Sequence, residues 1–131
     1  MLLTDEILNK LSQEAKHSQR LRKNFNLHES IEDKVQRMFN AMEPGTIVPI
    51  HRHPSASETM LLLRGSLIVR YYDNDGKKQK EFVIKANSDT FGIHVPKGIW
   101  HGVEVLTEGT VMLEVKEGPY RPLSDKDLMN I

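Results

Sequence analysis

Gly45-Thr-Ile-Val-Pro-Ile-His51-Arg-His53-Pro-Ser-Ala-Ser-Glu58-Thr-Met-Leu-Leu-Leu-Arg-Gly65 is the stretch whose reading decides the fold. His51 and His53 stand two apart, so on an extended strand both imidazoles leave the same face. The intervening Pro54-Ser-Ala-Ser57 can turn the chain and return the Glu58 carboxylate beside them. A second stretch, Pro96-Lys-Gly98-Ile-Trp-His101, supplies another histidine just after a Pro/Gly turn. Three imidazoles and one carboxylate form a donor set suited to Zn, Fe, Mn, Ni or Cu rather than to Mg or Ca. Any one of these histidines alone reads as an ordinary surface or hydrogen-bonded residue. Four ligand-type residues framed by glycines and a proline read as a metal site.

The rest of the chain narrows the class. Its 131 residues suit one domain with a core of its own. The absence of cysteine excludes disulfides, thiolate metal sites and cysteine nucleophiles. Eighteen basic and eighteen acidic side chains cancel, so no global field draws the protein to nucleic acid or to an acidic membrane. Met1-Leu-Leu-Thr-Asp-Glu6 lacks the basic and long apolar segments of a secretion signal, and no apolar run is long enough to span a bilayer. A cytoplasmic location is expected.

Thr4 to about Lys16 reads as a helix, with Thr4 as its cap, Asp5 and Glu6 at its positive end, and Leu3 placed to staple onto Leu8. Ile7, Leu8, Leu11 and Ala15 make one apolar stripe, suited to packing on the outside of a sheet. Residues 17–34 are polar and carry no clear periodicity. From Val35 the pattern changes to short strands. Val35–Met42, Thr59–Leu63, Leu67–Tyr72, the region around Phe82–Ile84, Thr90–Val95, His101–Leu106 and Thr110–Val115 are separated by turn signals such as Asp73-Asn-Asp-Gly76. Many short strands closely spaced predict a sandwich or barrel. The tail after Gly118 reads as irregular, with a closing turn.

Gly45 through Gly65 match every fixed position of the first cupin motif, G-x5-H-x-H-x3,4-E-x6-G. Pro96, Gly98 and His101 match the second, which departs from the pattern only at Thr90 and Val105. The chain thus resembles the cupin superfamily. More narrowly it resembles the WbuC family of cupin-fold metalloproteins, found among bacterial O-antigen genes. Ser18-Gln-Arg20-Leu-Arg22-Lys-Asn24-Phe25-Asn-Leu-His28, Val35–Ala41, Glu114–Tyr120 and Ser124–Asp127 carry that likeness. The resemblance implies an all-β, single-domain cupin, a double-stranded β-helix or jelly-roll barrel, with an N-terminal α-helix. Residues 1–34 would pack on a barrel formed by 35–131. It also implies one divalent transition metal per chain, Zn, Fe, Mn or Ni, held by His51, His53, Glu58 and His101. No settled reaction is implied.

Such a ligand set leaves coordination positions for water or substrate, which permits hydrolysis, isomerisation or oxygenation. The leading expectation is a metal-dependent enzyme, of isomerase or dioxygenase type, acting on a small polar molecule such as a sugar or sugar nucleotide in polysaccharide biosynthesis. The alternative is a non-catalytic barrel that binds a sugar or organic anion, with a structural metal. His94 is the catalytic candidate, provided that its strand turns it to the inner face with Gly92. Arg20, Arg22, Asn24 and His28 are the substrate-binding candidates, folded across the mouth to hold an anionic or sugar-phosphate group; the plainer reading of this basic cluster is a solvated surface. Arg37, Arg52 and Arg64 lie on or near the metal strands, where they are candidates to face the cavity, with the surface favoured for Arg52. Arg52 should point away from the metal and Trp100 away from His101. Homodimerisation through strands or the helix is compatible with this reading; nucleic-acid and membrane partners are not expected.

Overall fold

A computed structural model describes residues 1–129 of the chain. Its elements are α1 (Asp5–His17), β1 (Arg22–Asn26), β2 (Val35–Met42), β3 (Val48–His51), β4 (Glu58–Arg64), β5 (Ser66–Tyr72), β6 (Lys78–Lys85), β7 (Gly92–Val95), β8 (Trp100–Val105), β9 (Thr110–Glu117) and β10 (Leu128–Met129), with a short 3-10 turn at Asp125–Asp127 before β10. Two five-stranded antiparallel sheets face each other, ordered β1-β2-β9-β4-β7 and β10-β3-β8-β5-β6. This is the expected single-domain cupin jelly roll.

Alternation along the strands sorts the side chains. Met42, Met60, Leu62 and Met112 from the first sheet meet Leu67, Val69, Ile84 and Val105 from the second, and together they fill the closed end of the barrel. Each such side chain removed from water contributes roughly 1.5–3 kcal/mol before ordering costs are counted. The opposite parity of the first sheet, Phe39, Ala41 and Val111, faces outward and takes Leu11 and Ala15 of α1, with Ile7 and Leu8 at the edge. The helical stripe therefore packs where it was expected. Thr4 caps α1 by accepting from the Ile7 amide at 3.5 Å. Leu3, however, stays 55% exposed and makes no staple.

Three features depart from the sequence reading. The polar run Arg22–Asn26 is a strand, pairing along its whole length with β2 at the sheet edge. The segment before Val35 therefore contributes a strand to the barrel. Backbone pairing, not apolar alternation, places it there, as suits an edge strand. The tail forms β10, which pairs with β3 through Leu128 and His51. Arg64 does not face the cavity. It reaches outward to Asn9 Oδ1 at 2.6 Å and Asp5 Oδ1 at 2.8 Å, and so ties α1 to the sheet.

The glycines of the metal motif have a backbone reason. Gly65 has φ +75° where the chain crosses from β4 in one sheet to β5 in the other. A Cβ added there would lie 2.8 Å from the Thr110 Cα and press on the Thr110 hydroxyl. Left-handed backbone and backbone crowding both oppose a side chain. Gly65→Ala is expected to destabilise the fold by about 2 kcal/mol or more. Urea unfolding within about 0.5 kcal/mol of the parent would contradict this account of the crossover.

Candidate metal centre

His51 ends β3, and His101 lies directly opposite it on β8. Glu58 opens β4 on the facing sheet, and His53 follows β3 in the loop that leads to it. One donor atom from each of His51, His53, Glu58 and His101 lies within 4.8 Å of every other. The structure therefore brings together the four residues that the spacing singles out. His53 reaches the group from the loop and not from a continuous strand. Glu58 and His101 are 4% and 1% exposed, whereas His51 and His53 sit nearer the opening.

The imidazoles are oriented for ligation. His51 Nδ1 lies 2.8 Å from the Pro49 carbonyl, and His101 Nδ1 lies 2.9 Å from the Ile99 carbonyl. Each Nδ1–H donates to a backbone oxygen two residues back, which leaves Nε2 turned into the centre. Glu58 accepts from His101 Nε2 at 2.7 Å and approaches His53 Nε2 at 3.8 Å. Burial, joined by the neighbouring His101 charge, pushes His51 down to about 4. Burial also lowers His53, more than the Glu58 charge raises it. Burial pulls His101 down too, but the hydrogen bond and charge of Glu58 prevail and raise it. For Glu58 itself, burial acts upward, and the His101 hydrogen bond with the three histidine charges brings it down to about 2. Two neutral imidazoles, an ionised carboxylate and an imidazole whose proton sits between it and that carboxylate are a donor set that fits one divalent transition metal.

The loop that carries His53 is held from outside. The Arg52 amide donates to the Asp127 carbonyl at 3.1 Å, and Arg52 Nε donates to Asp127 Oδ1 at 2.9 Å. The same guanidinium stacks over Trp100 at 4.6 Å, and Trp100 Nε1 donates to Asn74 Oδ1 at 3.0 Å. Arg52 does point away from the metal position, and it pins the loop between two ligands to the C-terminal turn.

The centre opens into a cavity of about 380 Å3. Arg20, Arg22 and Asn24 line it, together with Met42, Met60 and Met112. Three further lining residues, Asn40, Glu114 and Lys116, escaped the sequence reading. Glu114 accepts from Asn40 Nδ2 at 3.1 Å and lies 4.0 Å from Lys116 Nζ. Burial, with the Glu58 charge next, pushes Glu114 up to about 7. A carboxylate interrupting the apolar run Val111-Met-Leu-Glu114-Val is the signal that could have found it.

Two candidates lie elsewhere. His94 pairs with Thr59 across β7 and β4, while the inward positions belong to Val95 and Glu58. Strand parity thus turns His94 outward, where its Nδ1 lies 2.9 Å from the Thr59 hydroxyl, and corrects the inner-face expectation. His28 is bound to the backbone of Arg37, whose amide donates to His28 Nδ1 at 3.0 Å, and it does not line the cavity. Arg37 and Tyr120 are exposed.

A family model described as "Domain of unknown function (DUF6016)" matches residues 3–84. A germin-like protein of Morus alba is 32% identical over 60 residues, 46% of this chain and 27% of that protein. Among solved structures, the conserved SPY1581 protein of Streptococcus pyogenes, of unknown function, superposes with a TM-score of 0.65 at 17% identity, covering 92% of this chain and 90% of that one. The capsular polysaccharide assembling protein CapF of Staphylococcus aureus superposes with a TM-score of 0.64 at 19% identity, covering 76% of this chain and 27% of that one. The chain thus spans about a quarter of the length of both the Morus alba protein and CapF. At these identities the structural likeness shows the cupin fold.

Two outcomes follow from this geometry. Arg52→Ala touches no ligand, yet it is expected to weaken metal binding about 10–100-fold by freeing the His53 loop; competition against a chelating dye measures this, and unchanged affinity would contradict the clamp. Metal binding is also expected to release about one proton near neutral pH, because the raised His101 must give up the proton it shares with Glu58. Affinity should then fall as pH falls. Calorimetry in buffers of differing ionisation heat reads the proton count, and a count of zero would contradict the assignment.

Proposed function

The chain belongs to the DUF6016 family, and we propose that it is a metal-dependent enzyme acting on a small polar molecule. The observation that carries this reading is that the His51, His53, Glu58 and His101 cluster forms the inner wall of a cavity rather than an enclosed core. Four protein donors leave room for a water or a substrate oxygen on a five- or six-coordinate ion. A metal bound there would supply Lewis-acid polarisation of that oxygen, or redox chemistry if it were iron.

The chain's own residues account for the remainder. The apolar floor of Met42, Met60 and Met112 excludes water from one side of the ligand. Asn40 holds Glu114 in place, so a carboxyl group is fixed on the cavity wall beside the metal ligands. It is placed to accept or return a proton at a substrate hydroxyl, the role first sought in His94. Arg20, Arg22 and Asn24 form the substrate-facing wall.

We read the chain further as a WbuC-type cupin serving polysaccharide biosynthesis on a sugar derivative. The segments Ser18–His28 and Glu114–Tyr120 favour that narrower family, and the CapF likeness is compatible with such a setting. The ligand set serves isomerase and dioxygenase chemistry alike. The competing reading is a binding barrel whose metal only clips the strands together.

Water-proton relaxation of the manganese-loaded protein separates the two. An exchangeable inner-sphere water should enhance relaxation, and a sugar phosphate that binds should quench the enhancement. No enhancement with manganese bound would mean a closed, structural metal and would overturn the enzyme reading.

A further inference from the structure

Arg22 presents an unusual combination of burial and missing partners. Its Nε is shielded from solvent and hydrogen-bonds to nothing among the described residues. A buried N–H donor left unsatisfied costs roughly 1–3 kcal/mol, so its retention on a cavity wall calls for an acceptor from outside. Strand register explains why it faces that way. Arg22 stands opposite Met42, and Asn24 opposite Asn40, across β1 and β2. Directly opposed residues share a face, and Met42 belongs to the barrel interior. Arg22 and Asn24 therefore project inward, while Phe25 lies outward, stacked with Phe39 at 6.4 Å.

The chain before β1 is held by its backbone, which leaves the arginine heads uncommitted. The Thr46 hydroxyl donates to the Arg20 carbonyl at 2.7 Å, and the Glu43 amide donates to the Leu21 carbonyl at 2.9 Å. Leu21 itself sits at φ +57°, a conformation rare for leucine, which turns the chain between the two arginines. Arg20, Arg22 and Lys23 enter no ion pair among the described residues. The carboxylates on the same wall are engaged elsewhere, Glu58 by His101 and Glu114 by Asn40 and Lys116. Burial, with the Arg20 charge next, already lowers the Arg22 guanidinium, so the pair gains from any anion between them. Arg20, Arg22 and Lys116 outnumber Glu58 and Glu114 by one before any metal is counted, while Lys23, opposite outward-facing Ala41, stands at the rim.

We propose that the Arg20–Arg22 wall is an anion subsite and that the ligand of this cavity is a small organic dianion, a phosphate monoester or dicarboxylate, bridging the metal and the Arg22 fork. The inference rests on the metal-site reading for one end of the ligand and on Arg22 alone for the other. The cation excess of this wall disfavours neutral sugars. The cavity of about 380 Å3 is near the small end of ligand sites, which disfavours a sugar nucleotide and favours a molecule the size of one phosphorylated sugar.

The test is calorimetric titration of the full chain with glycerol 3-phosphate, malonate and glycerol, with metal content measured on the same samples. The dianions should bind and glycerol should not. Tighter glycerol 3-phosphate assigns a phosphate head, and tighter malonate a carboxylate head. Arg22→Gln should weaken the preferred dianion about 10–100-fold at unchanged metal content and unchanged circular dichroism. Arg22→Lys should recover only part of that loss, because an ammonium cannot offer a planar fork. Parent-like affinity in Arg22→Gln would overturn the proposal, as the anion would then be held by the metal or the rim alone. Glycerol binding as tightly as the dianions would overturn it as well. Anion binding that survives removal of metal would leave the arginine subsite standing and count against the metal reading instead, so the two claims fail separately.

Discussion

The buried contact between Glu58 and His101 is the constraint on which the rest depends. An ionised carboxylate at 4% exposure is tolerated only if opposite charge and hydrogen-bond donors meet it. The two partners come from different sheets, Glu58 from β4 and His101 from β8. Facing the sheets so that apolar side chains close one end of the barrel brings these polar groups together at the other. Fold and site are thus one arrangement: the packing of Met60, Leu67 and Val69 sets the distance between the sheets, and that distance sets the reach of the ligands.

The metal strands are fixed from two sides. Inside, Nδ1 hydrogen bonds to the Pro49 and Ile99 carbonyls choose the tautomer of His51 and His101. Outside, Arg52 links the His51–His53 loop to Asp127 and to the face of Trp100. Such outer partners ordinarily decide affinity as much as the ligands do. The C-terminal segment, which looks featureless as sequence, is therefore tied through Arg52 to the loop that carries the candidate metal ligands.

What could be read in the sequence, and what could not, follows from the physics of each element. The ligand set was legible because turn glycines and donor residues at fixed spacing are local features. The strand Val35–Met42 was legible because one face is apolar, and α1 because its stripe has helical period. β1 was not, since an edge strand needs only backbone pairing and Arg22-Lys-Asn-Phe-Asn has no apolar rhythm. The side of the sheet on which His94 falls was not legible either. It depends on register across the sheet, which sets His94 opposite Thr59 and Val95 opposite the inward Glu58. Glu114 and Asn40 lie far apart in sequence and meet only through the pairing of β2 with β9.

The most direct measurement is elemental analysis of the protein purified without added metal, beside His51→Ala/His53→Ala, which leaves the Glu58–His101 contact in place. About one equivalent of a single transition metal per chain is expected, lost in the double variant while the barrel stays folded. No metal in either protein, even after reconstitution, would contradict the metal reading and leave a barrel whose cavity binds anions through arginine alone.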